Sequence, residues 1–209
     1  MGSSLNKENS IPVGAYVLFV VALYAVFLSG AEGSWGALGK AFRDLKADTL
    51  TAAMLPVICL LVRGLVSSGQ KDKLVFWRCR YALPGHRAFS KLAKKDSRID
   101  MKRLSSKIGR LPAEAKEQNA TWYRLYRQHQ DKTLVRETHK HFLLARDLAV
   151  IALLFVAFGA MGLFVAGAGS GPITGYAGLM LAQYFGFAVV AKNHGTRLVC
   201  NVLVEAMRI

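Results

Sequence analysis

Cysteine, proline and acidic side chains are all scarce in this chain of 209 residues. There are three cysteines, five prolines and thirteen Asp+Glu, against 28 Lys+Arg. Cys59, Cys79 and Cys200 are odd in number and widely spaced, which excludes a disulfide framework and a CxxC metal site. They read as unpaired thiols in a reducing compartment. His139 and His141 have no cysteine or carboxylate pair beside them, so no metal is expected. P-loop, nucleophile-elbow and dinucleotide fingerprints are also missing, and no cofactor is expected.

What the chain does have is apolar residue in bulk, 53% of the total, beside a net charge of +15. The two are segregated. Residues 70–147 hold 20 of the 28 Lys+Arg and 8 of the 13 Asp+Glu, and so +12 of the net charge. Most of the remainder is long apolar runs. A bilayer core about 30 Å thick takes roughly 20 apolar residues as a helix. Four runs reach that length: 11–30, 49–68, 148–167 and 173–191. The expected fold is therefore all-α, a polytopic membrane protein with four transmembrane helices and a small helical cytoplasmic insert. Residues 1–69 hold the first two helices and a short outer loop, and 70–147 form the basic insert. Residues 148–191 make a transmembrane hairpin, because AGSGP (168–172) is too short for anything but a tight reversal. Residues 192–209 read as an amphipathic cytoplasmic tail, with Arg197, Asn201, Glu205 and Arg208 as its polar stripe, either lying on the inner membrane face or docked on the basic insert. The first run is too long, and its N-terminal flank too poor in basic residues, for a cleaved signal peptide.

Orientation follows from where Lys and Arg accumulate. The insert goes to the cytoplasm, and both termini go with it. Arg63 then lies near the inner end of the second span, where it can snorkel to headgroups; the alternative is a functional intramembrane charge. Pro56 interrupts the backbone hydrogen bonding of that span, and the kink it makes is a candidate gating hinge. Gln183 is the polar side chain in span four with the same two options, an interhelical hydrogen bond or the wall of an aqueous path. No Asp, Glu, His or Lys sits deep in any run, which speaks against a proton-coupled transporter. Gly178, Ala182 and Gly186 recur every fourth residue, so one face of span four admits a second helix closely. Gly159 and Gly162 do the same in span three. The partner helix is either the other arm of the hairpin or another protomer; a homo-oligomer is expected.

The insert carries helix punctuation: Asp100 heads MKRLSSKI, Gly109 ends it, and Pro112 opens a longer pattern. Trp77 and Tyr81 suit a headgroup belt. Leu134, Val135, Thr138 and Phe142 continue helical spacing into span three without a break. Trp122, Tyr123, Arg124, Tyr126 and Arg127 interleave rings with guanidinium groups, a pattern that suits a polyanion, whether nucleic acid or nucleotide. Anionic membrane lipids and a cytosolic partner protein are the competing ligands for the same charge.

Arg136 to His141, Arg124 to His129 and Arg80 to His86 each fit the R-x4–6-H spacing of HEPN-type ribonucleases. Three matches in one arginine-rich segment show how readily the pattern arises, and no catalytic residue is assigned. The alternatives are a membrane-tethered ribonuclease and a non-switching lipid-binding scaffold. At LPGHRAF (83–89), QNATWYRLYRQH (118–129) and FLLARD (142–147) the chain resembles small multi-spanning membrane components of bacterial anti-phage defence systems. The resemblance covers about a third of the chain and carries no functional residues over. It implies a non-enzymatic sensor or effector in the bacterial inner membrane. Such a protein oligomerises through its spans and perturbs the membrane when the basic insert receives a signal.

Overall fold

The structure, a computed structural model, describes residues 5, 7–30, 35–47 and 64–208. Most of the second predicted span, with Pro56 and Arg63, lies outside the described residues. Within them the chain is helical and has no strand. Seven helices carry the argument: α1 (Ser10–Leu28), α2 (Trp35–Ala47), α3 (Ser68–Phe76), α4 (Met101–Ile108), α5 (Ala115–His129), α6 (Thr133–Val165) and α7 (Ser170–Arg208). Among the described residues α1, α6 and α7 are long and apolar enough to cross a membrane. The segment predicted as a short outer loop contains a helix, α2, which lies against α1.

Two compact units partition the chain. The first comprises Met1–Lys71 with Arg146–Phe187 and the second Asp72–Ala145 with Ala188–Ile209. In the first, α1 buries Val13, Val17, Val20 and Leu23, a three-to-four-residue recurrence that makes one helical stripe. Val20 and Leu23 close on Leu163 of α6 and on Tyr176 and Met180 of α7. Outward, α6 exposes Phe158, Met161 and Phe164, each more than 60% accessible. In water such a strip would be an aggregation liability; in hydrocarbon it costs nothing. The α6–α7 reversal is tight, as expected. Gly167 takes a φ of +76°, Ala168 N donates to Leu163 O at 3.0 Å, and Gly167 N donates to Phe164 O. That pairing is the Schellman stop, which satisfies carbonyls at the end of α6.

Glycine lets the helices of this unit meet around tyrosine rings. A Cβ at Gly159 would run into the Tyr176 ring, and one at Gly162 would stand 2.6 Å from the Tyr24 hydroxyl. Tyr176 packs edge-on against Tyr24 and Phe27, with centroids 6.0 and 5.6 Å away. It is fully buried, and its hydroxyl has no hydrogen-bond partner. Tyr16 contrasts with it, donating to Gln183 Oε1 at 2.9 Å. Tyr176→Phe is therefore expected to raise stability by about 1 kcal/mol, because only an orphaned hydroxyl is lost. Tyr16→Phe is expected to cost about 0.5–1 kcal/mol, since it strands the Gln183 carbonyl. Unfolding in detergent micelles, followed by tryptophan fluorescence, separates the two by sign.

The second unit is built around the end of α7. Leu198, Val199, Cys200, Val202, Leu203, Val204 and Met207 are buried against Ala88, Phe89, Leu104, Trp122 and Val135. Of the two placements open to this segment, the one against the basic segment is what the structure shows. Residues 192–208 end the 39-residue α7 and supply much of the core of the unit. Of its polar stripe, Arg197 and Arg208 are exposed, while Asn201 and Glu205 are buried and satisfied internally. Asn201, 4% exposed, accepts from Arg98 Nη1 at 3.1 Å and donates to Thr138 Oγ1 at 3.0 Å. Thr138 in turn donates to Leu134 O. Glu205 is held by Arg208 at 2.8 Å. On the loop side Arg98 forks onto Asp96 at 2.9 and 2.6 Å, and this pairing holds the Asp96 carboxyl down to about 2. A run of polar contacts thus ties the 96–98 loop, α7 and α6 together inside one unit.

Local punctuation in this unit follows the sequence closely. Asp100 accepts from Lys102 N at 2.8 Å and Arg103 N at 3.3 Å, and Gly109 ends α4 with φ +84°. α5 begins at Ala115, three residues beyond Pro112. A short 3₁₀ turn (Pro84–Arg87) and a π turn (Ala88–Leu92) precede these helices. Gly85 is needed there because the chain passes directly beneath α5: an added Cβ would stand 2.9 Å from Trp122 and strike the Asn119 side chain.

Candidate functional site

The basic unit is where a ligand or partner was expected, and α5 carries the predicted residues. On a helix, positions 118, 122, 125 and 129 fall on one face. In the structure Gln118, Trp122 and His129 are buried and Leu125 packs against the core. Trp122 is therefore a core residue, with little of its ring open to a ligand. Its ring lies 5.7 Å from Tyr126, roughly parallel, and Tyr126 lies 5.9 Å from Tyr123. Tyr126 is half-buried, its hydroxyl 2.9 Å from His139 Nδ1. Tyr123, Arg124 and Arg127 are exposed. The five residues thus divide between core and surface, because five consecutive-looking positions cannot share one side of a helix.

Gln118 is a residue that sequence reasoning did not single out. It is 2% exposed; its Oε1 accepts from Phe89 N at 3.1 Å and Ser90 N at 3.0 Å, and its Nε2 donates to Ala113 O at 2.7 Å. The π turn frees those two N–H groups, and the side chain supplies what the backbone ladder does not. A lone glutamine in a polar helix gives no signal for this role.

The three candidate ribonuclease histidines sit in separate surroundings. His86 Nδ1 lies 3.0 Å from the Ala115 carbonyl, and His141 faces His194 with ring centroids 5.2 Å apart. His129 is 5% exposed, and its Nδ1 has no hydrogen-bond partner. Burial holds its imidazole below the usual histidine range, with Glu205 opposing and Lys132 adding to the shift. Arg124, its partner in the R-x-H spacing, is exposed and donates to Thr121 Oγ1.

In the apolar unit the predicted glycines fall into two sets. Gly159 and Gly162 take the tyrosine rings described above. Gly178 and Gly186 meet nothing within 4 Å, and with Ala182 they are exposed. The α6–α7 hairpin therefore leaves that small-residue face open among the described residues. Gln183, its neighbour, is occupied by Tyr16.

At the start of the apolar stretch of α6 lies a second feature absent from the sequence reading. Lys71 Nζ meets Asp147 Oδ1 at 3.1 Å, with side chains 8% and 5% exposed. Arg146 approaches the same carboxylate at 3.7 Å and donates to Ser68 Oγ at 3.1 Å. The segment leading out of the second predicted span is thereby fastened to α6 by buried charge. Asp147 and Arg146 read in the sequence as ordinary flanking charges, because their partners stand some 76 and 78 positions away.

Among the described residues no group of three or more His, Cys, Asp or Glu side chains is placed to hold a metal. No family model, curated protein or solved structure matches this chain.

Proposed function

We propose that this protein is an integral inner-membrane sensor or effector of a bacterial anti-phage defence system. It has four spans, with 49–68 as the second. The basic unit and both termini face the cytoplasm. Protomers associate through Gly178, Ala182 and Gly186, and the membrane is perturbed when the basic unit receives a signal. The signal is a nucleotide, a nucleic acid or a cytosolic protein.

The observation that supports this reading best is helix continuity. α6 runs 33 residues and α7 39 residues without interruption, each contributing to both units. A helix carries a displacement along its axis because every turn is bonded to the next. Ligand-induced repacking around Thr138, Asn201 or His129 would therefore act on the same two helices whose apolar parts pack with α1. The open Gly178/Ala182/Gly186 face suits close helix–helix approach, for which small residues are the usual device.

The test uses bacteria expressing the full chain, challenged with a phage panel while a potential-sensitive dye reports membrane polarisation. Reduced plaque formation with depolarisation after infection is expected. The Gly178→Leu/Gly186→Leu double variant should lose both, although these positions meet nothing among the described residues that would stop the fold. Unchanged plaque numbers across the panel would overturn the defence reading. Protection with no depolarisation would remove the membrane-perturbing half of it.

A further inference from the structure

Two hollows lie side by side on the basic unit, and their walls are chemically unlike. The first, about 510 Å³, is lined by Lys107, Arg124, Gln128 and His129 over an apolar floor of Ile108 and Leu125. No carboxylate lines it among the described residues. The second, about 660 Å³, carries Glu114 and Glu117 with Arg110. Thr121 and Arg124 belong to both, and Arg124 Nη2 donates to Thr121 Oγ1 at 3.3 Å. Arg124 is thus steadied on the ridge where the hollows join. Each volume is in the range that small-molecule sites occupy.

From this geometry we infer that the paired hollows bind a phosphate ester bearing hydroxyl groups, its phosphate between Lys107, Arg124 and His129 and its hydroxyls toward Glu114 and Glu117. The inference rests on the reading of the basic unit as the receiver of a signal, and it names the chemistry of that signal.

Three physical points carry it. First, Lys107 and Arg124 put two fixed cations on one hollow, and charge-assisted donors of this kind are the strong ligands of phosphate oxygens. Second, His129 is nearly enclosed and lacks a partner at Nδ1. An orphaned N–H costs more than an orphaned lone pair, so the ring proton belongs on Nε2. That leaves Nε2–H as the donor of a neutral ring, and Gln128 adds an amide. Third, the carboxylates at the far end reject a second phosphate while accepting hydrogen bonds from hydroxyls. A continuing nucleic-acid backbone would place its next phosphates against Glu114 and Glu117, which argues for a compact ligand with charge at one end. A flat bilayer surface offers no group to fill the second hollow, whereas a protruding phosphoglycerol headgroup or a soluble sugar phosphate does.

Calorimetric titration of the full chain in neutral detergent, with ribose 5-phosphate, inorganic phosphate and ribose as probes, tests this at physiological salt. Ribose 5-phosphate is expected to bind at least tenfold more tightly than inorganic phosphate, and ribose not measurably. Arg124→Gln and Lys107→Gln should each weaken ribose 5-phosphate tenfold or more. Glu114→Gln/Glu117→Gln should bring ribose 5-phosphate down to the level of inorganic phosphate without changing the latter. Thermal unfolding of each variant within 2 °C of wild type excludes loss of fold. Repeating the titration in phosphatidylglycerol and phosphatidylcholine nanodiscs separates the sources. Competition confined to phosphatidylglycerol assigns the site to a lipid headgroup, and equal binding in both assigns it to a soluble ester. Equal affinity for all three probes, or variants that bind like wild type, would overturn the inference. Binding is read here without phage or membrane potential, so a failed groove with intact protection leaves the proposed function standing, and the reverse result leaves the groove.

Discussion

Asp147→Ala is expected to destabilise the protein by about 3–5 kcal/mol, the usual result of removing one member of a buried ion pair. The reason is asymmetric. Lys71 and Arg146 stay behind, 8% and 10% exposed at their side chains, with the carboxylate they faced gone. Solvation lost on burial is then uncompensated at the Lys71 ammonium, and the cost exceeds whatever the intact pair contributed. For a chain of this size a loss of that order lowers the melting midpoint by about 10 °C. Thermal unfolding in detergent micelles, read by tryptophan fluorescence, measures it. The control is Lys71→Met/Asp147→Leu, which removes the main pair together and should recover much of the loss. A midpoint for Asp147→Ala within 2 °C of wild type would show that water reaches the cluster and that the pair behaves as a surface bridge.

Gln118→Leu should cost about 2–4 kcal/mol by a different route. The leucine fills similar volume, so no large cavity opens. Phe89 N loses its acceptor inside the core, at a cost of about 1–3 kcal/mol, and the part-buried Ser90 N and Ala113 O, which water can reach, add less. Gln118→Glu keeps an acceptor for the two N–H groups and loses the donor to Ala113, so an intermediate loss is expected. The π turn should open before the rest of the unit does. Limited proteolysis should therefore cut within residues 84–95 in Gln118→Leu under conditions where wild type is resistant. Identical digestion patterns would mean that the turn holds without its side-chain clamp.

Much of the candidate site was legible one helix at a time. Asp100 and Gly109 bounded α4 as expected, and Pro112 stands just ahead of α5. The side of α5 that faces outward was harder to read, since an aromatic is equally at home in a core and on a stacking surface. Trp122 went inward because Gly85 lets the chain pass beneath it. The placement of the tail was left open for the complementary reason. Arg197, Asn201, Glu205 and Arg208 have the spacing of a solvated stripe, yet Asn201 and Glu205 are buried because Arg98, Thr138 and Arg208 satisfy them. A period reports which residues share a face. It does not report whether water or another helix supplies that face with hydrogen bonds.

By itself the sequence determined the all-helical class, the apolar runs of α1, α6 and α7, the tight glycine stop between the last two, and the concentration of positive charge in residues 70–147. These follow from length, hydropathy and backbone preference, which are local properties. Tertiary structure alone decided that α7 ends as the core of the basic unit and that Gln118 clamps a π turn. It also decided that Lys71 meets Asp147 and that Lys107, Arg124 and His129 converge on one hollow. Each of those depends on at least one group from a distant part of the chain, Lys107 in the case of the hollow, which a short window of sequence does not contain.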